Sequence, residues 1–204
     1  MRRSNAATFW PVMILVTATD VVTKQLAVRF LHPQSMPHDV FGDWFRLALV
    51  RNPGAAFGLN VGMYSRYIFM ALTIVALIIL ARLYRSTRVG DMSRVIALAL
   101  VCGGALGNLI DRVRSEKGVI DFIDVGISEI TRWPTFNVAD MAVSFGAFLL
   151  AWVLWEEDRD LAEVGTVTAG SVARERRSRS RCATSGCWLR FVSLSAAGSM
   201  RASG

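Results

Sequence analysis

Val95-Ile96-Ala97-Leu98-Ala99-Leu100-Val101-Cys102-Gly103-Gly104-Ala105-Leu106-Gly107-Asn108-Leu109-Ile110, followed at once by Asp111-Arg112, is the stretch on which the fold turns. An amphipathic helix of a soluble core would carry a polar stripe, and most of this run has none. It approaches the ~20 apolar residues that cross a bilayer. Gly103 and Gly107 form a G-x-x-x-G step, which lets membrane helices approach closely. Three similar runs extend from about Phe9 to Phe30, Tyr67 to Tyr84 and Phe136 to Trp155. Four membrane-spanning helices are expected, in an all-α membrane protein.

Composition agrees. Of 204 residues, 53% are hydrophobic and 19% charged, and mean hydropathy is +0.40. Soluble domains are usually less apolar and more charged. The formal net charge of +7 is concentrated at the end, in Arg174, Arg176, Arg177, Arg179, Arg181, Arg190 and Arg201. Such residues beside spans mark the cytoplasmic side and anionic lipid, so nucleic acid is not an expected partner. Residues 1–155 form the expected membrane domain, and 156–204 a basic, disordered cytoplasmic tail rich in Ser, Arg, Ala and Gly, apart from an apolar patch at Trp188 to Leu194. Cys102 falls in an apolar run. Cys182 and Cys187 have loose spacing and no neighbouring histidine, so no metal site is expected. His32 and His38 fall in a loop, which gives little support to a Ser-His or Cys-His nucleophile.

Arginines set the orientation. Arg2 and Arg3 precede the first run, and Arg82, Arg85, Arg88 and Arg94 crowd the short link between the second and third. These regions and the tail should be cytoplasmic, with loops 31–65 and 112–135 outside. The N-terminus imitates a signal peptide, but Asp20 and Lys24 interrupt its apolar run and no A-x-A-like site follows, so an uncleaved span is expected. Trp10, Trp152 and Trp155 fit the inner interface, and Tyr64, Tyr67 and Trp133 the outer one. In the first outer loop Phe45, Leu47 and Leu49 alternate with Arg46, Ala48 and Val50, as in a short strand. Asn52-Pro53-Gly54 then signals a turn. A small extracytoplasmic β-sheet is expected there.

Ionisable groups inside spans cost ~2.5–3.5 kcal/mol at mid-helix on insertion scales, which makes them functional suspects. Asp20 and Lys24, four apart, share a helix face and can pair locally. Gly104, Asn108 and Asp111 share a face that ends at the outer surface, and Arg112 follows; helix packing with an interfacial charge pair would also explain them. Asn137 and Asp140 open the fourth span, where Asn137 could be a helix cap and Asp140 could gain from the dipole. Asp121 lies among apolar neighbours in Val119-Ile120-Asp121-Phe122-Ile123, whereas Asp124 reads as solvated. Two acids from separate segments can meet at the outer interface and share a proton, which is the chemistry of an aspartic peptidase. An ion-coupled transporter would also use intramembrane Asp, Asn and Lys, although it favours acids at the midplane and internal repeats. A scaffold would use the glycines and leave the acids unexplained.

Five blocks in order resemble the lipoprotein signal peptidase family, the type II signal peptidases of bacteria. They are Asp20 with Lys24, Asn52-Pro53-Gly54-Ala55-Ala56-Phe57, Gly103 to Arg112, Val119-Ile120-Asp121-Phe122, and Phe136-Asn137-Val138-Ala139-Asp140. The resemblance covers about residues 9–155. It implies that Asp121 and Asp140 are the catalytic dyad. It implies that Asn52, Gly54, Gly104, Asn108, Arg112 and Asn137 line the site, with Asp20 and Lys24 supporting it and Asp111 beside them. It implies an inner-membrane endopeptidase without metal or organic cofactor. Its substrate would be a prolipoprotein carrying diacylglycerol on the cysteine after the cut. The basic tail departs from the compact end usual in the family.

The arginine pattern is testable. In a chain whose own cysteines are replaced, a cysteine introduced at Ser128 should react with an impermeant thiol reagent in intact spheroplasts. One at Ser86 should not, and the reverse pattern would invert the topology.

Overall fold

The computed structural model describes residues 4–31, 36–54 and 62–159. Arg2, Arg3, His32, Ala55 to Phe57, Cys182, Cys187 and nearly all of the basic tail lie outside the described residues. The chain divides into two compact units, Met1–Val153 and Leu154–Gly204. Both cavities described below lie in the first.

Four helices are long and apolar enough to cross a membrane: α1 (Asn5–Phe30), α2 (Ser65–Ser86), α3 (Met92–Arg114) and α4 (Val138–Arg159). Most extend past the apolar runs, because polar ends can cap or reach toward water while the helix continues. At the start of α3 the Asp91 carboxylate accepts the Arg94 amide at 3.1 Å. At its other end Arg112 and Arg114 occupy the last turn, where cations meet the negative pole of the helix. Large apolar side chains such as Leu72, Val75, Ile78 and Ile79 on α2 point outward. A soluble protein would bury such a surface, whereas lipid can cover it.

The helix core is Phe9, Leu80, Val95, Leu98, Ala99 and Cys102, drawn from α1, α2 and α3. Asn5 joins the start of α1 to the α2–α3 turn, donating to the Arg88 carbonyl at 3.0 Å and accepting the Gly90 amide at 3.0 Å. The N-terminal end of α1 and the arginine-rich turn therefore share one end of the bundle.

At the opposite end lies a three-stranded antiparallel sheet in the order β1-β2-β3. Its strands are β1 (His38–Phe41), β2 (Phe45–Asn52) and β3 (Val119–Val125). The expected strand at Phe45 to Val50 is β2, two residues longer, with an irregularity between Leu47 and Val50. On the face alternate to Phe45, Leu47 and Leu49, Arg46 is buried and lies 2.8 Å from Asp39. Leu49 and Phe122 pack the sheet onto Ala27 and Leu31 at the end of α1. The reading of Asp124 as solvated is corrected: it is 8% exposed, and Arg132 Nε donates to both its oxygens at 2.7 and 2.9 Å. A carboxylate this buried needs such a partner.

Two glycines set the spacing. Gly118 enters β3 at φ +87°, a conformation that L side chains rarely adopt, and a Cβ there would strike the Asn52 carbonyl. Gly104 lies where α3 meets α4, and its Cβ would strike the Ala139 carbonyl and approach Val143 Cγ2 at 2.8 Å. Gly104→Ala must push backbone aside, at the ~1–3 kcal/mol typical of overpacking. The expected outcome is a lower melting temperature in detergent; an unchanged one would show that α3 and α4 do not meet at this residue.

Candidate active site

The chain leaving β3 returns to it before α4 begins. Phe136 donates to the Ile123 carbonyl at 3.0 Å and its own carbonyl accepts the Ile123 amide at 2.8 Å. This return fixes Asn137 and Asp140 beside Asp121. Asn137 and Asp140 also form a reciprocal cap on the first turn of α4. The Asn137 side-chain oxygen accepts the Asp140 amide at 2.9 Å, and Asp140 Oδ2 accepts the Asn137 amide at 3.2 Å. Such a capping box satisfies two backbone donors that the helix leaves free.

Asparagine amides bridge the acids. Asn137 Nδ2 donates to Asp121 Oδ1 at 2.6 Å and to Asn108 Oδ1 at 3.2 Å. Asn108 Nδ2 donates to Asp140 Oδ1 at 2.8 Å. Asn52 Nδ2, at the end of β2, donates to Asp121 Oδ2 at 3.2 Å. Asn52 Oδ1 accepts the Gly54 amide at 3.0 Å, so this side chain also makes the expected turn. Both acids line one cavity of about 450 Å³, together with Asn52, Asn108, Arg112 and Ser144. Its remaining wall is largely apolar, including Trp133, Pro134, Phe136, Met141 and Val143.

Most of the other expected residues lie at or just behind this cavity. Arg112 donates to the Gly54 carbonyl at 3.1 Å and to the Asn108 carbonyl at 3.3 Å. It forms no salt bridge with Asp111, the pair that the alternative packing explanation would have offered. Instead Asp111 Oδ2 lies 2.9 Å from Lys24 Nζ, and Lys24 is also 2.7 Å from Asp20 Oδ2 and donates to Asn108 Oδ1 at 2.8 Å. Asp20 Oδ1 accepts the Ala139 amide at 2.9 Å, capping α4 from α1. Gly104 supports the site through helix packing. Thr135, Met141 and Val143 were not singled out in the sequence, because nothing in their spacing separates an apolar cavity wall from ordinary lipid contact. Among the described residues no group of three or more His, Cys, Asp or Glu could hold a metal ion.

Asp121 is 3% exposed. Burial, then the charge of Asp140, pushes its carboxyl up to about 6, against the lowering effect of hydrogen bonds from Asn52 and Asn137 and of the Lys24 charge. The acid can therefore retain its proton at a pH where an ordinary aspartate has lost it.

The model of the signal peptidase (SPase) II family matches residues 12–156. This chain belongs to the signal peptidase II family. The lipoprotein signal peptidase of Moorella thermoacetica is 42% identical over 142 residues, covering 69% of this chain and 88% of that protein. The lipoprotein signal peptidase of Syntrophotalea carbinolica is 43% identical, covering 70% and 88%. A solved bacterial membrane enzyme is 28% identical with a TM-score of 0.70, covering 78% of this chain and 95% of its own. As a signal peptidase II, the chain is a multi-pass membrane peptidase that cleaves signal peptides from prolipoproteins. The transporter and scaffold readings give way to it.

The asparagine bridges give a titration test. Asn52→Ala removes a donor that favours the charged form of Asp121, so its pKa should rise above about 6. Following the Asp121 carboxyl by isotope-edited infrared titration would show this, and a downward shift would refute the role given to Asn52.

Proposed function

We propose that Asp121 and Asp140 are the catalytic pair of this peptidase. The observation that carries the reading is their convergence, from β3 and α4, on one cavity with asparagine amides bridging them. Asp121, more deeply buried, is the acid that keeps a proton. It donates that proton toward the scissile carbonyl and polarises it. Asp140 takes a proton from the attacking water, as a general base must. The pair is competent with one proton shared between its members, so its pH dependence belongs to the pair.

The substrate is a prolipoprotein with diacylglycerol on the cysteine that follows the cut, and cleavage falls on the N-terminal side of that cysteine. The largely apolar wall of Trp133, Pro134, Phe136, Met141 and Val143 suits a lipid-linked peptide segment. The protein lies in the bacterial inner membrane, with both termini cytoplasmic and the cavity at the outer face. Two features support this orientation. The arginine-rich α2–α3 turn is at one end of the bundle, and the sheet and the two acids are at the other. A cysteine tethered to outer-leaflet lipid would place the bond to be cut at that second end. The tail from Glu156 onward takes no part in the chemistry, since the family match ends at residue 156.

Asp→Asn keeps size and hydrogen bonding but removes the titrating proton. Asp121→Asn and Asp140→Asn should each lower turnover of a lipidated precursor by several powers of ten, and the double variant should be little worse than either single one. Activity of the parent protein should be bell-shaped in pH. Its alkaline limb should lie at or above about 6, where burial and the Asp140 charge put the Asp121 carboxyl, because bound substrate adds to that burial. Near-normal turnover by either single variant would remove that acid from the mechanism.

A further inference from the structure

A second cavity, of about 270 Å³, opens behind the first, between α1, β2 and the end of α3. Two arginines line it. Arg51 is on β2 and Arg114 is the last residue of α3. Arg51 Nε is buried without a hydrogen-bond partner. Neither guanidinium is paired with an acid among the described residues. Gln25 and Ser115 add an amide and a hydroxyl, and Val21 and Val28 of α1 form an apolar wall.

The other charges at the cavity are committed elsewhere. Lys24 Nζ is occupied by Asp20, Asp111 and Asn108. Asp111 Oδ2, besides Lys24, accepts the Ile120 amide at 3.2 Å. Among the described residues the cavity therefore carries two uncommitted positive charges and no uncommitted negative one. A buried donor without a partner is costly, so a ligand that satisfies it binds with that cost relieved.

We propose that this cavity holds the phosphodiester of an anionic phospholipid. Two guanidinium forks match the non-bridging oxygens of a phosphodiester, which a lone ammonium would meet only as a point charge. The position supplies the lipid. The cavity lies where α3 ends and the sheet begins, at the level of headgroups in a chain that spans the bilayer. Exposed Val22 and Leu26 on α1 continue from Val21 and Val28 as a surface for acyl chains. A soluble anion would leave that apolar wall unused.

The site lies back to back with the first cavity. Arg51 and Asn52 are neighbours on β2, and successive strand residues face opposite ways. Asn52 reaches Asp121, while Arg51 faces the second cavity. A phosphate on Arg51 would thus steady the strand that positions Asn52.

The test uses the full chain in nanodiscs of phosphatidylcholine with graded phosphatidylglycerol, with retained lipid counted by native mass spectrometry. The wild-type protein should retain phosphatidylglycerol over phosphatidylcholine by roughly 30-fold, the scale set by two basic residues at a membrane surface. The Arg51→Gln/Arg114→Gln double variant should lose most of that preference, while Arg51→Lys/Arg114→Lys should keep part of it. If the double glutamine variant does not elute as a monodisperse species, Arg114→Gln alone serves and should show a partial loss. Equal retention of both lipids by the wild type would overturn the proposal. So would full preference in the arginine variants, which would place the lipid elsewhere. Displacement of the retained lipid by millimolar inorganic phosphate would show a soluble-phosphate site and overturn the lipid assignment.

Discussion

One buried ammonium holds the site end of the bundle together. Lys24 is 1% exposed, and its three contacts reach Asp20 on its own helix and Asp111 and Asn108 on α3. An unpaired charge at that depth would be untenable. Breaking such a buried group typically costs about 3–5 kcal/mol, because the partners are then left uncompensated. Each partner passes the constraint on. Asp20 caps α4 through the Ala139 amide, Asp111 accepts from β3 at Ile120, and Asn108 turns its amide to Asp140. The cation thus sets the relation of α1, α3, α4 and β3 while touching neither of the acids proposed to act.

This arrangement also fixes an ambiguity that an isolated asparagine would have. A side-chain amide can present either its oxygen or its nitrogen. Lys24 can only donate, so the Asn108 oxygen must face it, and the Asn108 nitrogen is left for Asp140. Asn137 is held similarly, its oxygen on the Asp140 amide and its nitrogen on Asp121. Both amides therefore present donors to the acids. The polar network is closed on the protein side and open toward the cavity.

The helices were legible because hydrophobic runs of membrane length have few other uses. The candidate site residues stood out in the sequence because polar groups at membrane depth are few, and because their five blocks resemble one family in order. The sheet was only partly legible. Val119 to Val125 shows strand-like composition, but its acids drew attention before its periodicity, so β3 was read as a segment bearing acids. Asp124 was misread for want of a visible partner: Arg132 lies eight residues away beyond a turn, and nothing in the spacing pairs them. Asp111 and Arg112 are adjacent and opposite in charge, which suggested a pair. On a helix neighbours point about 100° apart, and here they go to separate networks, Asp111 to Lys24 and Arg112 to Gly54.

Residues that cap α4 also belong to the proposed site, and this coupling has a physical logic. A helix beginning at membrane depth exposes N–H groups that water cannot reach, so a side chain must meet them. Asn137, Asp140 and Asp20 do so. An aspartic pair has the opposite requirement: one acid must be dry enough to keep a proton, yet hydrogen-bonded well enough to stay buried. Placing the acids at the start of α4 and on the adjacent strand meets both needs with one set of groups. Asp140 is anchored by the helix it caps, and Asp121 is dried by the sheet that packs over α1. Deep burial alone would leave Asp121 as an unsatisfied polar group, and full exposure would leave it an ordinary surface acid. The asparagine bridges hold it between those limits, and they come together at the seam of helix and sheet, since Asn52 ends β2, Asn108 is on α3 and Asn137 precedes α4.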